Sequence, residues 1–306
     1  MPVKDGAQFL AASITDIEAN VLADDEILVI DDGSKDETGK ILKAWANRNA
    51  SVRVITTKGG GLVEALNLGV SEANNEWVAR FDVDDRYVDS RILEQRKAIS
   101  NGCSAIFCDY RFNDPKGNKL GVIPTAVNAH ATVVSLLSSQ RTPHPGVIFN
   151  RKAVLEAGGY RKEDFPAEDI SLWLRLAKTG KMISIPQILL EYRLSKHSVT
   201  AKNRLSAKLR TIQLVNEIGI SEDHIFYCLN NWRTIFENYS DMSYSAERRL
   251  LLYRDLNKGL QFIAKSESMG KQKREILYHL LNDKKTIKAF SHLLVEKTQR
   301  KIYREY

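Results

Sequence analysis

Apolar positions over the first 200 residues come in short runs separated by polar segments. Glu26-Ile-Leu-Val-Ile30, Val52-Arg-Val-Ile-Thr56, Trp77-Val-Ala-Arg-Phe81 and Ser104-Ala-Ile-Phe-Cys108 are rich in β-branched and aromatic residues and read as strands. Amphipathic stretches lie between them, and strands alternating with helices predict an α/β domain with a largely parallel sheet. His144 to Phe149 reads as a further strand entered through a constrained turn, and Gly158-Gly159 as the close of the helix after it. A helix opening at Pro166 presents Ile170, Trp173, Leu174 and Leu176 as its apolar face. Beyond about Thr200 the period changes. Leu205, Leu209, Ile212 and Val215 fall at three- and four-residue spacings, so the chain divides into an α/β part, 1–199, and an all-helical part, 200–306. No repeat and no low-complexity linker interrupts either part.

Composition narrows this picture less than charge does. With 306 residues, 43% hydrophobic and 27% charged, the chain has the proportions of a globular protein and not of a disordered or fibrous one. Its formal +7 invites nucleic acid or anionic membrane as partner. The excess is localised: 1–199 carries 25 basic and 26 acidic residues, whereas 200–306 carries 20 and 12. A nearly neutral sheet half without an RNA- or DNA-binding signature makes nucleic acid the poorer expectation. The segment Lys271 to Tyr306 sets Ile276, Leu280, Phe290 and Leu294 beside Lys284, Lys288, Lys297 and Arg300, the composition of a helix lying on an anionic membrane surface or packed on protein. Cys103, Cys108 and Cys228 are too few and scattered for a disulfide framework or a zinc site. No apolar run approaches the length of a spanning helix, and a reducing cytoplasm is the expected setting.

Candidate chemistry gathers after the apolar runs, where α/β sheets bind ligands. Ile30 is followed by Asp31-Asp32-Gly33-Ser34-Lys35-Asp36, and Phe81 by Asp82-Val83-Asp84-Asp85. Carboxylates ending neighbouring strands repel unless a cation, donor groups or water compensate, which points to a metal or a polar ligand. If strand geometry continues through Asp82-Val83-Asp84, both carboxylates face one side while Val83 packs. That is an oxygen pair suited to Mg or Mn. The competing reading is an acidic turn that caps the next helix, with Asp89 or Ser90 as N-cap. An EF-hand is excluded by the missing sixth-position glycine and twelfth-position Glu. The run Lys58 to Gly69 fails as a dinucleotide fingerprint, because Glu64 stands in the third glycine position, and reads as a helix entry. Taken alone, Glu168 and Asp169 read as dipole partners at a helix start.

In their order, these pieces resemble the family 2 glycosyltransferases, enzymes of the Rossmann-like GT-A fold that move a sugar from a nucleotide donor. The resemblance rests on Pro2 to Gly6, Val29 to Asp36, Ala65-Leu66-Asn67 within Gly61 to Gly69, Phe81 to Asp85, and His144 to Phe149. It continues through Gly158-Gly159-Tyr160, Glu168-Asp169 with Leu172 to Leu176, and Tyr192-Arg193 with His197. It covers about the first 200 residues and implies a mixed, mostly parallel sheet flanked by helices. By the same resemblance, Asp31 and Asp32 lie at the base and ribose of the donor, with Pro2 and Asp5 lining that pocket. Asp82 and Asp84 are the DxD pair, carrying Mn or Mg against the diphosphate, and His197 adds a metal or phosphate contact. Asp169 is the general base of an inverting transfer, and Glu168 orients the helix start or pairs with a basic neighbour. The implied donor is a UDP-sugar. The implied acceptor is a hydroxyl of a surface glycan or polyprenyl-linked precursor, as in lipopolysaccharide or capsule synthesis, on the inner face of the cytoplasmic membrane.

Two departures qualify the resemblance. The family's first strand runs into Pro2, and Met1 stands where that strand should end, so an upstream start or an inert, donor-binding scaffold is the alternative expectation. Leu66 replaces an Arg found near the donor in many relatives, which leaves donor preference open.

Overall fold

The computed structural model describes residues 1–123, 125, 142–195 and 198–218. His197 and the basic segment Lys271 to Tyr306 lie outside the described residues, as does most of the stretch between Ile123 and Thr142. Strands β1 (Pro2–Val3), β2 (Ile27–Asp31) and β3 (Val52–Thr56) form a parallel sheet in that order, with Pro2 beside Ile30 and Val3 beside Asp31. Helices α1 (Ala7–Asn20), α2 (Thr38–Arg48) and α3 (Leu62–Glu72) alternate with these strands, the βα order expected from the period.

A second sheet is built from β4 (Trp77–Ala79), β5 (Arg86–Tyr87), β6 (Cys103–Asn113), β7 (Lys119–Ile123), β8 (Ile148–Asn150) and β9 (Lys181–Arg193). Its order is β4-β8-β6-β9-β5, with β7 also on β6; β6 and β9 run parallel and the other pairs antiparallel. The pairing is therefore mixed. Helices α4 (Arg91–Lys97), α5 (Arg151–Glu156), α6 (Glu168–Leu176), α7 (Val199–Lys202) and α8 (Arg204–Ile218) complete the described chain. Among the described residues no helix is long and apolar enough to cross a membrane, and Cys103 and Cys108 are buried free thiols.

Two cores hold the sheets and helices together. One packs Leu10, Val29, Leu42, Trp45 and Ile106. The other packs Leu66, Phe107, Phe149, Leu172 and Trp173, where the Trp173 indole meets the Phe107 ring edge-on at 5.2 Å. Helix α6 is buried at every position except Asp169, its polar members Glu168, Ser171 and Arg175 included. Its one guanidinium, Arg175, turns back to α5 and donates to the carbonyls of Ala157 and Gly159, satisfying groups that a helix end leaves open. Leu214 of α8 joins the same core.

Between the two sheets lies an apolar cavity of about 130 Å³, lined among others by Met1, Leu28, Leu66, Trp77, Ile92 and Phe149. The α-amino group of Met1 is enclosed beside it and donates to the Leu28 carbonyl at 2.7 Å. Burial first, and the Arg80 charge second, hold this amine down to a pKa of about 5.

One expectation about local geometry is corrected. Strand β4 stops at Ala79, and Asp82 to Asp85 form a turn, not a strand end. Val83 nevertheless packs inward, because Gly6 opens room for it: a Cβ on Gly6 would come within 3.1 Å of the Val83 side chain. The N-cap of α4 is Ser90, one of the two residues the capping alternative names, although it makes no side-chain cap bond.

Candidate active site

The ends of β1 and β2 build the first wall of the site. Asp31 and Asp32 are both buried there. Asp31 Oδ1 accepts from the Ser34 amide at 3.0 Å and so closes the turn after β2. Asp32 accepts from the Gly61 amide at 3.0 Å and the Thr57 hydroxyl at 2.9 Å, which ties the glycine-rich entry of α3 to β2. Lys4 Nζ stands 3.6 Å from Asp32 Oδ2. Asp5 sits at φ 49°, the left-handed region that a non-glycine residue seldom adopts. Its amide donates to Ser34 Oγ at 2.9 Å and its carboxylate accepts from the Lys35 amide at 2.7 Å. Pro2, Asp5, Asp31 and Asp32 thus share one end of the parallel sheet, the end where such folds bind ligands.

The turn after β4 forms the second wall. Asp82 Oδ1 lies 2.6 Å from Arg80 Nη2. Asp85 is buried and accepts from the Arg193 amide at 2.8 Å, while Arg193 Nε donates to the Asp84 carbonyl at 3.0 Å. The Asp84 carboxylate itself has no hydrogen bond among the described residues. Burial, with Asp82 next, pushes its pKa up to about 6. Asp85 is driven well above the usual carboxylate range by burial and then by Asp84.

Helix α6 brings the third wall. Neither of its leading carboxylates caps it: the N-cap is Ala167, with no side-chain cap bond. Glu168 is buried and its Oε2 has no hydrogen-bond partner. Among the described residues it forms no ion pair; the cation acting on it from a distance is Arg80. Asp169 is half-buried and accepts from the Ile170 amide at 2.7 Å. Burial raises both carboxyls above their ordinary range; for Glu168 the Asp169 charge is next, and Asp82 acts on both. Asp82, on the second wall, is thus within electrostatic reach of both carboxyls of the third.

The residues of the second wall suit a divalent cation. Asp82, Asp84 and Asp85 crowd one turn against the guanidinium of Arg80 and the backbone amide of Arg193, and one carboxylate is left without a donor. No preformed cluster of three or more His, Cys, Asp or Glu ligands exists among the described residues. One or two carboxylates with the remaining positions left to phosphate and water is the donor set that Mg and Mn accept.

Sequence reasoning missed Arg80. Lying between an apolar run and an acidic turn it reads as an exposed strand end, yet it is 5% exposed and is the nearest cation to Asp82. His144 and Tyr160 stood in recognised segments without a chemical role, and both are found beside Arg80.

Comparison with known proteins bears on the family and the fold. The profile of glycosyl transferase family 2 matches residues 1–157. The chain is 31% identical over 212 residues to the UDP-Gal:alpha-D-GlcNAc-diphosphoundecaprenol beta-1,3-galactosyltransferase of Escherichia coli, covering 66% of this chain and 74% of that one. It is 26% identical over 210 residues to the amylovoran biosynthesis glycosyltransferase AmsE of Erwinia amylovora, covering 65% and 76%. The structure resembles the mannosyltransferase PcManGT of Pyrobaculum calidifontis, solved with GDP-Man and Mn2+, at a TM-score of 0.61 and 16% identity over 98% of this chain and 80% of that one. It resembles S. aureus TarS in complex with UDP-GlcNAc at 0.59 and 13% over 95% and 90%.

Proposed function

The chain belongs to glycosyl transferase family 2 and is a glycosyltransferase of the GT-A fold, and from that premise we propose that it transfers a sugar from a UDP-sugar to a hydroxyl of a lipid-linked glycan precursor, with inversion at the anomeric carbon. The observation that carries this reading is that the turn bearing Asp82 and Asp84 lies within electrostatic reach of the burial-raised carboxylate pair opening α6, whose Glu168 Oε2 has no hydrogen-bond partner.

Pro2, Asp5, Asp31 and Asp32 line the nucleotide pocket at the sheet end. Asp84, with Asp82 beside it, would hold Mg or Mn, which would supply charge to stabilise the departing nucleoside diphosphate. Asp169 accepts the proton of the acceptor hydroxyl as that oxygen bonds to C1 and the diphosphate leaves from the opposite face. A carboxylate with a raised pKa is the stronger base while still ionised near neutral pH. The galactosyltransferase relative names a UDP-sugar donor and a diphosphoundecaprenol acceptor, which supports the donor and acceptor class. The +8 of residues 200–306 supports docking on an anionic membrane surface.

The test is release of nucleoside diphosphate from a panel of UDP-, GDP- and dTDP-sugars with Mn, in the presence of a polyprenyl-diphosphate sugar. UDP-sugar turnover is expected, falling about 10²- to 10⁴-fold in Asp169→Asn. Tight nucleotide binding without turnover, or an Asp169→Asn variant as active as the parent, sinks the reading.

A further inference from the structure

One buried chain of polar contacts crosses the site without entering either donor binding or proton transfer. Its centre is Arg80, just past β4. Nη2 reaches Asp82 at 2.6 Å, Nη1 donates to the Phe81 carbonyl at 3.0 Å, and Nε donates to His144 Nε2 at 3.2 Å. The backbone of Arg80 is fixed too: its amide donates to the Val147 carbonyl at 2.9 Å, and its carbonyl accepts from Arg91 at 2.7 Å. The same His144 nitrogen lies 2.8 Å from the Tyr160 hydroxyl. A guanidinium only donates, so Nε2 is an unprotonated acceptor, the imidazole is neutral with its proton on Nδ1, and Tyr160 is the donor in that contact. Burial and the adjacent Arg80 charge hold His144 well below its ordinary pKa, in keeping with that neutral tautomer.

Beyond His144 the chain is anchored twice. The Tyr160 amide donates to Asn67 Oδ1 at 2.8 Å and the Asn67 amide returns a bond to the Tyr160 carbonyl at 2.8 Å, fastening it to α3. This exchange requires glycine at 159, where φ is 62° and a Cβ would come within 2.7 Å of Asn67 Oδ1. The His144 ring packs edge-on against Trp173 of α6 at 5.9 Å. The contacts therefore run without a break from Asp82, on the turn after β4, to the helix that begins with Glu168 and Asp169.

We propose that Arg80, His144 and Tyr160 are positioning residues that hold the turn bearing Asp82 and Asp84 at a fixed separation from helix α6, so that leaving-group departure and proton acceptance act on one sugar carbon at once. This rests on the reading of Asp82, Asp84 and Asp169 given above. In-line displacement depends on that separation, and misplacement by about 1 Å costs on the order of 10²-fold in rate.

The test is a double-mutant cycle on the full chain with Tyr160→Phe, which deletes only the hydroxyl, and Arg80→Lys, which keeps the charge but loses the fork. UDP-galactose, UDP-N-acetylglucosamine and GDP-mannose serve as donors, and UDP and GDP as binding probes. Each single variant is expected to lower kcat about 10- to 100-fold while probe affinity stays within about twofold and the melting temperature within a few degrees. The double variant is expected to be no slower than Arg80→Lys alone, because both changes break the same chain. Should Arg80→Lys fail to fold, His144→Phe takes its place. Losses that multiply, a Tyr160→Phe variant with the parent's kcat, or rate losses that track melting temperature overturn the inference. An unmutated chain that turns over no donor overturns the functional reading instead.

Discussion

A carboxylate that must take a proton near neutral pH gains from burial, and Asp169 has it, but its neighbour carries the same burden without the same use. Burial raises Asp169 and Glu168 alike, and the Glu168 Oε2 is left without a donor. The sign follows directly. A carboxyl whose folded pKa exceeds its unfolded value costs stability above the folded pKa, and the cost is relieved as pH falls through the window between the two values. Asp169 must be ionised to act, so the acid limb of kcat is expected above the ordinary carboxylate range of about 4. Glu168→Gln removes one of the crowded charges. It is expected to stabilise the chain by about 0.5–2 kcal/mol at pH 7.5, an advantage that shrinks on acidification; a melting temperature unchanged or lowered at pH 7.5 would count against it. Asp82 and Asp84 stood out in the sequence because they follow an apolar run, although a turn replaces the strand period there, and Asp169 was singled out only through the family resemblance. Arg80 was not, since its inward turn is dictated by His144, 64 residues away, and no local pattern reports a partner at that distance.

At the scale of elements, the apolar runs located β2 and β3 to within a residue, but β6 extends to Asn113 where the run of uninterrupted apolar residues stops at Cys108. Its second half is held by pairing with β9 and β7, from Tyr110 beside Leu190 and Ile123 to Asn113, and cross-strand pairing is what a single segment's composition does not display. Strand β1 shows the converse case, two residues long yet fully paired with β2.

For the whole molecule, charge and packing divide the chain at different places. Composition breaks after Val199, where a net −1 gives way to +8. Packing carries the core further: Leu214 is buried among Trp173 and Leu66, and Arg210 reaches the buried Asp164 at 2.6 Å while also pairing with Glu217. Helix α8 therefore packs on the core that α6 helps build, through an apolar contact and a partly buried ion pair, and removing one partner of such a pair strands the other. Period and charge could announce that residues after 200 are helical and basic, but not that the first of those helices completes the catalytic core, because that depends on which surface α6 leaves uncovered. Three chain lengths separate the two divisions. A chain ending at Val199 is expected to unfold without cooperativity, having lost Leu214 and exposed Trp173's layer. One ending at Ile218 is expected to melt cooperatively and bind UDP, yet remain in the supernatant with vesicles of anionic lipid. The full 306 residues are expected to sediment with those vesicles at low salt and to be released as ionic strength rises, since attraction between exposed charges is screened within about 10 Å at 0.1 M. Cooperative melting of the shortest chain would place the end of the folded unit before α8, and sedimentation of the middle one would move the membrane-binding charge off residues 219–306.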